Sequence, residues 1–265
     1  MLIDTHAHLD YPEFQADFDA VLANARREGV TRILSIGTGL SASERAIELA
    51  AAHPEVFAVP GIHPNAVDEE PEDFLEALRA LAKRPRVAAI GETGLDYFRF
   101  PKDGVFKSGQ TVEEAKAKQA KYFRLQLDLA VELGLNVVIH QRASWDDTVA
   151  ILSEYTGRLR AVFHCFGESL ERALRVLEMG HLVSFTGIAT FKNGDNVRDV
   201  AKVLNPGQFM VETDCPYLAP VPFRGQRCEP AHTRLVANIL AEVRGESIEE
   251  FARHTTQTAE TFFRL

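Results

Sequence analysis

Cysteine is scarce in this chain of 265 residues: there are three, Cys165, Cys215 and Cys228. An odd number with no CxxC spacing argues against a disulfide framework. Long apolar runs are missing as well, and no window approaches the roughly 20 residues that a membrane helix needs. The first residues lack a basic stretch leading into an apolar run, so we expect no secretory leader and no membrane partner. Basic charge is in deficit: 29 Lys and Arg against 38 Asp and Glu leave a formal net charge of −9. That balance opposes a broad basic surface tracking duplex DNA, so any nucleic-acid substrate would be held locally. Linker-like and low-complexity segments are also absent. With 46% hydrophobic residues the chain has enough apolar side chain for a substantial core. We expect a single domain over residues 1–265, in the cytoplasm, with no obligate protein partner.

What is present is alternation. Short apolar runs, each followed by a longer stretch of helical periodicity, recur from end to end. The runs at 2–6, 32–36, 56–61, 87–91, 135–140, 160–164, 182–185 and 208–212 read as strands. Helices are expected at 16–28, with Gly29 just past the end, at 42–53 capped by Ser41, and at 71–83. Further helices are expected at 111–133, 144–155, 168–179, near 196–204 and at 231–244. Ser247 and Glu250 form a capping-box pattern opening a last helix at 248–263. Eight βα units close most naturally into a (β/α)₈ barrel. A doubly wound open sheet is the alternative, but no glycine-rich phosphate turn follows its first strand.

His6 and His8 flank Ala7 at the end of the first strand. Residues two apart on a strand point the same way, and two convergent imidazoles commonly hold a divalent cation. Glu92, His140, His164 and Asp214 also fall at strand ends, which in a barrel share the rim where chemistry is done. Any one of these could be a satisfied rim side chain; six at strand ends form a set. Six ligands exceed the needs of one tetrahedral ion and suggest two. Glu92 would bridge ions about 3.5–4 Å apart, and Asp214 would take a proton from the attacking water. Zn²⁺ or Mn²⁺ suits the imidazoles, as does Fe²⁺; Mg²⁺ prefers oxygen ligands, but high cellular abundance can compensate and keeps it among the candidates.

The motifs go further: IDTHAHLD at 3–10, GIHP at 61–64, GETGLDY at 91–97, IHQR at 139–142 and FHCFG at 163–167. They continue with SFTGIATFKN at 184–193, ETDCPYLAP at 212–220 and RGQRCEP at 224–230. In these the chain resembles, over nearly its whole length, the TatD family of metal-dependent deoxyribonucleases. The resemblance implies a two-metal phosphodiesterase acting at the 3′ end of DNA, with His6, His8, Glu92, His140, His164 and Asp214 as metal ligands. Cys228 and Thr258 stand where that family commonly has asparagine, and Ala143-Ser144 replace a more frequent Asp-Ala. None of the three departures touches a ligand; they bear on substrate preference.

His63, Arg142 and Asp96 are candidate substrate-binding residues. Arg142 would fork onto a phosphate or form a rim ion pair, and His63 would touch phosphate or bond to a neighbouring loop. Asp96 would orient a ligand or cap a turn. Thr186, Lys192 and Arg224 are weaker candidates; residues 13–18 and Trp145 suit packing, and His232 and His254 suit the surface. The loop at 97–110 interleaves Arg99, Lys102 and Lys107 with Tyr97, Phe98, Phe100 and Phe106, a pattern that suits either an unpaired strand or an ordinary rim loop. The expected activity is hydrolysis of a DNA phosphodiester by a metal-bound hydroxide, with Asp214 and Glu92 as catalytic groups and single-stranded or frayed DNA ends as substrate. The alternatives are ester or amide hydrolysis on the same barrel, such as deacylation of D-aminoacyl-tRNA, and a non-enzymatic interaction protein.

Overall fold

The computed structural model describes residues 1–106 and 109–265, so Lys107 of the 97–110 loop lies outside the described residues. Strand β1 (Leu2–Ala7) passes through a 3₁₀ turn at Pro12–Phe14 into α1 (Phe18–Arg27). Then come β2 (Val30–Ile36), α2 (Leu40–Ala52), β3 (Val56–Val59), α3 (Phe74–Ala82) and β4 (Ala89–Asp96). The long α4 (Val112–Leu133) leads to β5 (Asn136–Arg142), α5 (Trp145–Ser153), β6 (Ala161–Phe163) and α6 (Leu170–Glu178). The chain finishes with β7 (Leu182–Phe185), α7 (Asp195–Val203), β8 (Phe209–Val211), α8 (Thr233–Arg244) and α9 (Ile248–Phe263).

All strand pairs are parallel, running in order from β1 to β3 and from β4 to β8. Two bridges join these runs, Ala58 with Val87 and Ala7 with Cys215, and close the sheet into the barrel. Every strand contributes to one apolar cluster, through Ile3, Leu34, Val59, Ala89, Val138, Val162, Leu182 and Met210. A cluster fed by all eight strands is the barrel interior. Ala259, Phe262 and Phe263 of α9 join it, and Asn136 at the start of β5 donates to Phe262 O at 2.6 Å. The last helix therefore plugs the amino-terminal mouth and leaves the other rim free. Alternate strand residues, among them Ile33, Val137, Ile139 and Phe209, pack under the surrounding helices.

Local sequence explains most helix ends. Thr111 with Glu114, and Ser247 with Glu250, form reciprocal capping boxes. Ser41 is not a cap: α2 starts one residue earlier, and the Leu40 amide donates to Glu70 Oε1 at 2.9 Å. A carboxylate from a distant loop does the capping, which no local pattern announces. Helix α1 starts at Phe18 rather than 16, because the turn at Pro12–Phe14 occupies the approach, and α3 starts at Phe74 rather than 71.

Glu92 and His140 lie within their strands, not at the ends, since β4 runs on to Asp96 and β5 to Arg142. Strand register shifts between Asp4 and Ala7 on β1 and between Ile90 and Thr93 on β4. Such bulges re-aim side chains, and these two contain His6 and Glu92. The glycines of the GETG motif permit the approach: a Cβ on Gly94 (φ +144°) would sit 2.0 Å from His140 O. At Gly91 (φ +149°) it would meet Val138 O at 2.7 Å.

Candidate metal centre

Glu92 is buried with imidazoles on both of its oxygens. Oε2 lies 3.3 Å from His6 Nε2 and 3.9 Å from His8 Nε2. Oε1 lies 2.6 Å from His140 Nδ1, 2.7 Å from His164 Nε2 and 3.7 Å from His63 Nε2. Asp214 joins the first side, its Oδ1 3.4 Å from His8 Nε2 and 3.7 Å from His6 Nε2. Its position is built by β1: the Asp214 amide donates to His6 O at 2.8 Å, and the residue sits at φ +62°. That left-handed conformation is uncommon outside glycine, and aspartate tolerates it better than most residues. All six residues expected as ligands are thus brought together around one carboxylate.

His6 is fully buried, and among the described residues neither of its ring nitrogens has a hydrogen-bond partner. An orphaned buried imidazole is costly unless a ligand completes it, and a divalent cation would do so. His6, His8 and Asp214 offer ligand atoms within 4.8 Å of one another, as do His63, Glu92 and His140, and likewise His6, His164 and Glu212. The donor set of imidazoles and carboxylates fits a divalent ion.

The charges reinforce one another. Burial works to raise the pKa of Glu92, but His164, His6, His63 and His140 outweigh it and hold the carboxyl well below its usual range. His164 is pushed well above the ordinary imidazole value against burial by Glu92 and Glu212. His63 moves the other way, lowered to about 3 by burial and the neighbouring His140. Its Nδ1 accepts from the Asn65 amide at 3.0 Å, so a neutral His63 carries its proton on Nε2, facing Glu92.

Asp96 accepts from Asn65 Nδ2 at 3.0 Å and from the Phe98 amide at 2.9 Å, and lies 3.3 Å from His140 Nε2. It therefore both caps a turn and contacts a ring. Burial opposes its ionisation, yet the bond to His140 and the Phe98 amide bring its pKa down to about 2. Arg142 has no ion-pair partner among the described residues; its guanidinium lies 3.7 Å over the Phe98 ring. Thr186 is buried beside Cys165. Arg224 covers Phe191 at 3.8 Å and donates to Ala219 O. Lys192 is exposed and does not line the cleft.

Two carboxylates went unexpected. Glu212 is buried, accepts from the Cys165 amide at 2.6 Å and Ser184 Oγ at 2.6 Å, and lies 3.6 Å from His164 Nδ1. Asp4 is buried and binds Thr213. His254 is not a surface residue: it is buried, with Nε2 2.8 Å from Glu246 Oε2. His232, likewise expected at the surface, is half-buried, stacked on Phe223 at 4.6 Å.

A cleft of about 730 Å³ opens above the cluster, reached by His8, His63, Glu92, Asp96, Arg142 and Asp214. A closed parallel barrel with a histidine–carboxylate cluster at this rim has the build of a metal-dependent hydrolase. The family model for TatD related DNase matches residues 3–264, and the chain belongs to that family. It is 37% identical to the uncharacterized metal-dependent hydrolase YabD of Bacillus subtilis (strain 168), each chain covered in full. It is 34% identical to the 3'-5' ssDNA/RNA exonuclease TatD of Pantoea vagans (strain C9-1), again over 100% of both. The crystal structure of YJJV, a TatD homolog from Escherichia coli K12, superposes with a TM-score of 0.90 at 29% identity, covering 100% of this chain and 98% of that one.

Proposed function

We propose that the protein hydrolyses phosphodiester bonds at the 3′ end of single-stranded or frayed DNA, with two divalent ions as cofactor. The observation that carries this reading is Glu92, whose two oxygens face two separate donor sets. His6, His8 and Asp214 would hold one ion with Oε2, and His140 and His164 the other with Oε1. Bound ions of this kind lower the pKa of water and neutralise charge on a phosphoryl oxygen. Glu212 is occupied by the Cys165 amide and Ser184, so it orients His164 rather than serving as a ligand.

Asp214 is the proton acceptor. Burial opposes its charge, but His8 and His6 keep it ionised below the ordinary carboxylate pKa. Neutral His63 would donate Nε2–H to a phosphate oxygen, and Arg142, free of any carboxylate among the described residues, would neutralise the phosphate. Asp96 fixes His140 and Asn65 together, so it acts on substrate through them. The exonuclease name carried by the Pantoea vagans relative supports the substrate class. Unpaired cysteines suit the cytoplasm, and no helix among the described residues is long and apolar enough to cross a membrane.

The test is to offer metal-loaded protein 5′-labelled single-stranded DNA, the matching duplex and D-aminoacyl-tRNA. Stepwise shortening of the single strand is expected. Ester release from the tRNA with intact DNA would overturn the nuclease reading in favour of a deacylase.

A further inference from the structure

The loop expected to grip substrate divides in two. Phe100 packs 5.1 Å from Tyr97 and 5.2 Å from Phe106, so these rings support the loop from within. Phe98 instead is 60% exposed and carries the Arg142 guanidinium over its face. Phe98 is tied to the cluster, because its amide donates to Asp96, which lies against His140. Arg99, also without an ion pair among the described residues, lines the same cleft.

A second aromatic face stands at the other donor set. Tyr11 stacks on His8 at 4.9 Å, and Tyr217 meets Tyr11 edge-on at 6.1 Å. Tyr217 is 52% exposed, and its amide donates to Asp214 O at 3.0 Å. One platform is thus fixed to the His8–Asp214 side of Glu92 and the other to the His140–Asp96 side.

Exposed aromatic and guanidinium planes bind the faces of unpaired bases without regard to base identity. We infer that the cleft is a two-base clamp: one unpaired base stacks on Tyr217, its neighbour stacks on Arg142 backed by Phe98, and the phosphate joining them lies over Glu92. This rests on the nuclease reading and adds to it a minimal substrate. The substrate is a strand end with a base on each side of the bond, held without sequence preference. Paired bases cannot reach both planes, so a duplex end must fray before it enters. The clamp also accounts for local attraction of a polyanion by a chain of net charge −9, through two guanidinium groups that no carboxylate among the described residues neutralises.

Binding and cleavage are measured separately. Fluorescence anisotropy of a labelled phosphorothioate trithymidylate on metal-loaded protein gives Kd for the intact strand and for strands with a tetrahydrofuran in place of the last or the penultimate base. Loss of either base is expected to weaken binding about tenfold. Tyr217→Ala should abolish the penalty at one position, and Phe98→Ala, by removing the ring that backs the Arg142 plane, should reduce it at the other. Both side chains are more than half exposed, and a thermal melt verifies that each variant is folded. Equal Kd for all three strands, or the same loss at both positions in each variant, would overturn the clamp. Cleavage of the unmodified strand is then scored: cleavage with no base dependence overturns the clamp alone. Base-dependent binding without cleavage overturns the nuclease reading and supports the clamp, and absence of both overturns both.

Discussion

Asp4 holds Thr213 by two bonds: its Oδ2 accepts the Thr213 hydroxyl at 2.6 Å and its Oδ1 the Thr213 amide at 2.9 Å. The residue after Thr213 is Asp214, so a carboxylate on the first strand sets the position of the proposed proton acceptor just past the last. Asp4→Asn turns one carboxylate oxygen into an NH2 group, so the Thr213 hydroxyl loses its acceptor. We expect a loss of about 1–3 kcal/mol in stability from the unmet bond, read as a lower urea midpoint, together with weaker metal retention on dialysis. An unchanged midpoint and metal content would remove Asp4 from this role.

Asp214→Asn is expected to keep the fold and lower kcat by roughly 10²–10⁴-fold, the range for losing a general base. The comparison is single-turnover cleavage by both proteins at saturating metal. Near-normal kcat in the variant would place proton transfer elsewhere.

Glu212→Gln keeps the shape of the residue while weakening its hold on His164, whose Nδ1 lies 3.6 Å from Glu212 Oε1. Removal of such a supporting contact costs about 10–100-fold in metal affinity or activity. Metal titration followed by calorimetry should show one of the binding events weakened and the other little altered.

Acid sensitivity should arise partly from His181. It is buried at the foot of β7, where Nδ1 accepts from the Ala161 amide at 3.3 Å. Burial and then Arg160 push its pKa down to about 4. The unfolded imidazole binds its proton near pH 6.5, and the folded one resists until about pH 4. Its contribution is therefore whole above pH 6.5 and is lost as pH falls through that window. His181→Asn retains an acceptor for Ala161 without a titrating group. The fall in urea midpoint between pH 7.5 and pH 4.5 should be smaller in the variant than in the parent, and an equal fall would exclude His181 as a source.

The barrel and the gathering of six candidate residues were legible because both follow short-range rules. Eight apolar runs alternate with helical stretches, and His6, His8 and His164 come at or just past the strand termini, where barrel chemistry is found. Glu212 and Asp4 also left a signal. Each lies two residues before a candidate ligand, Asp214 and His6, and the two-residue period of a strand points to that face. Other features depend on distant partners. Glu70 capping α2, Glu246 drawing His254 inward and the bulges under His6 and Glu92 have no local pattern. The 97–110 loop carried aromatic and basic residues in one run, and only the packing of Phe100 against Tyr97 and Phe106 separates its supporting rings from Phe98.

Glu92 is proposed to stand between two ion positions. Crystals of the metal-saturated protein, with anomalous data collected above and below the metal edge, test it most directly. Two anomalous peaks flanking Glu92 are expected, one among His6, His8 and Asp214 and one among His140 and His164, with elemental analysis giving two ions per chain. A single peak and one ion per chain under saturating metal would contradict it.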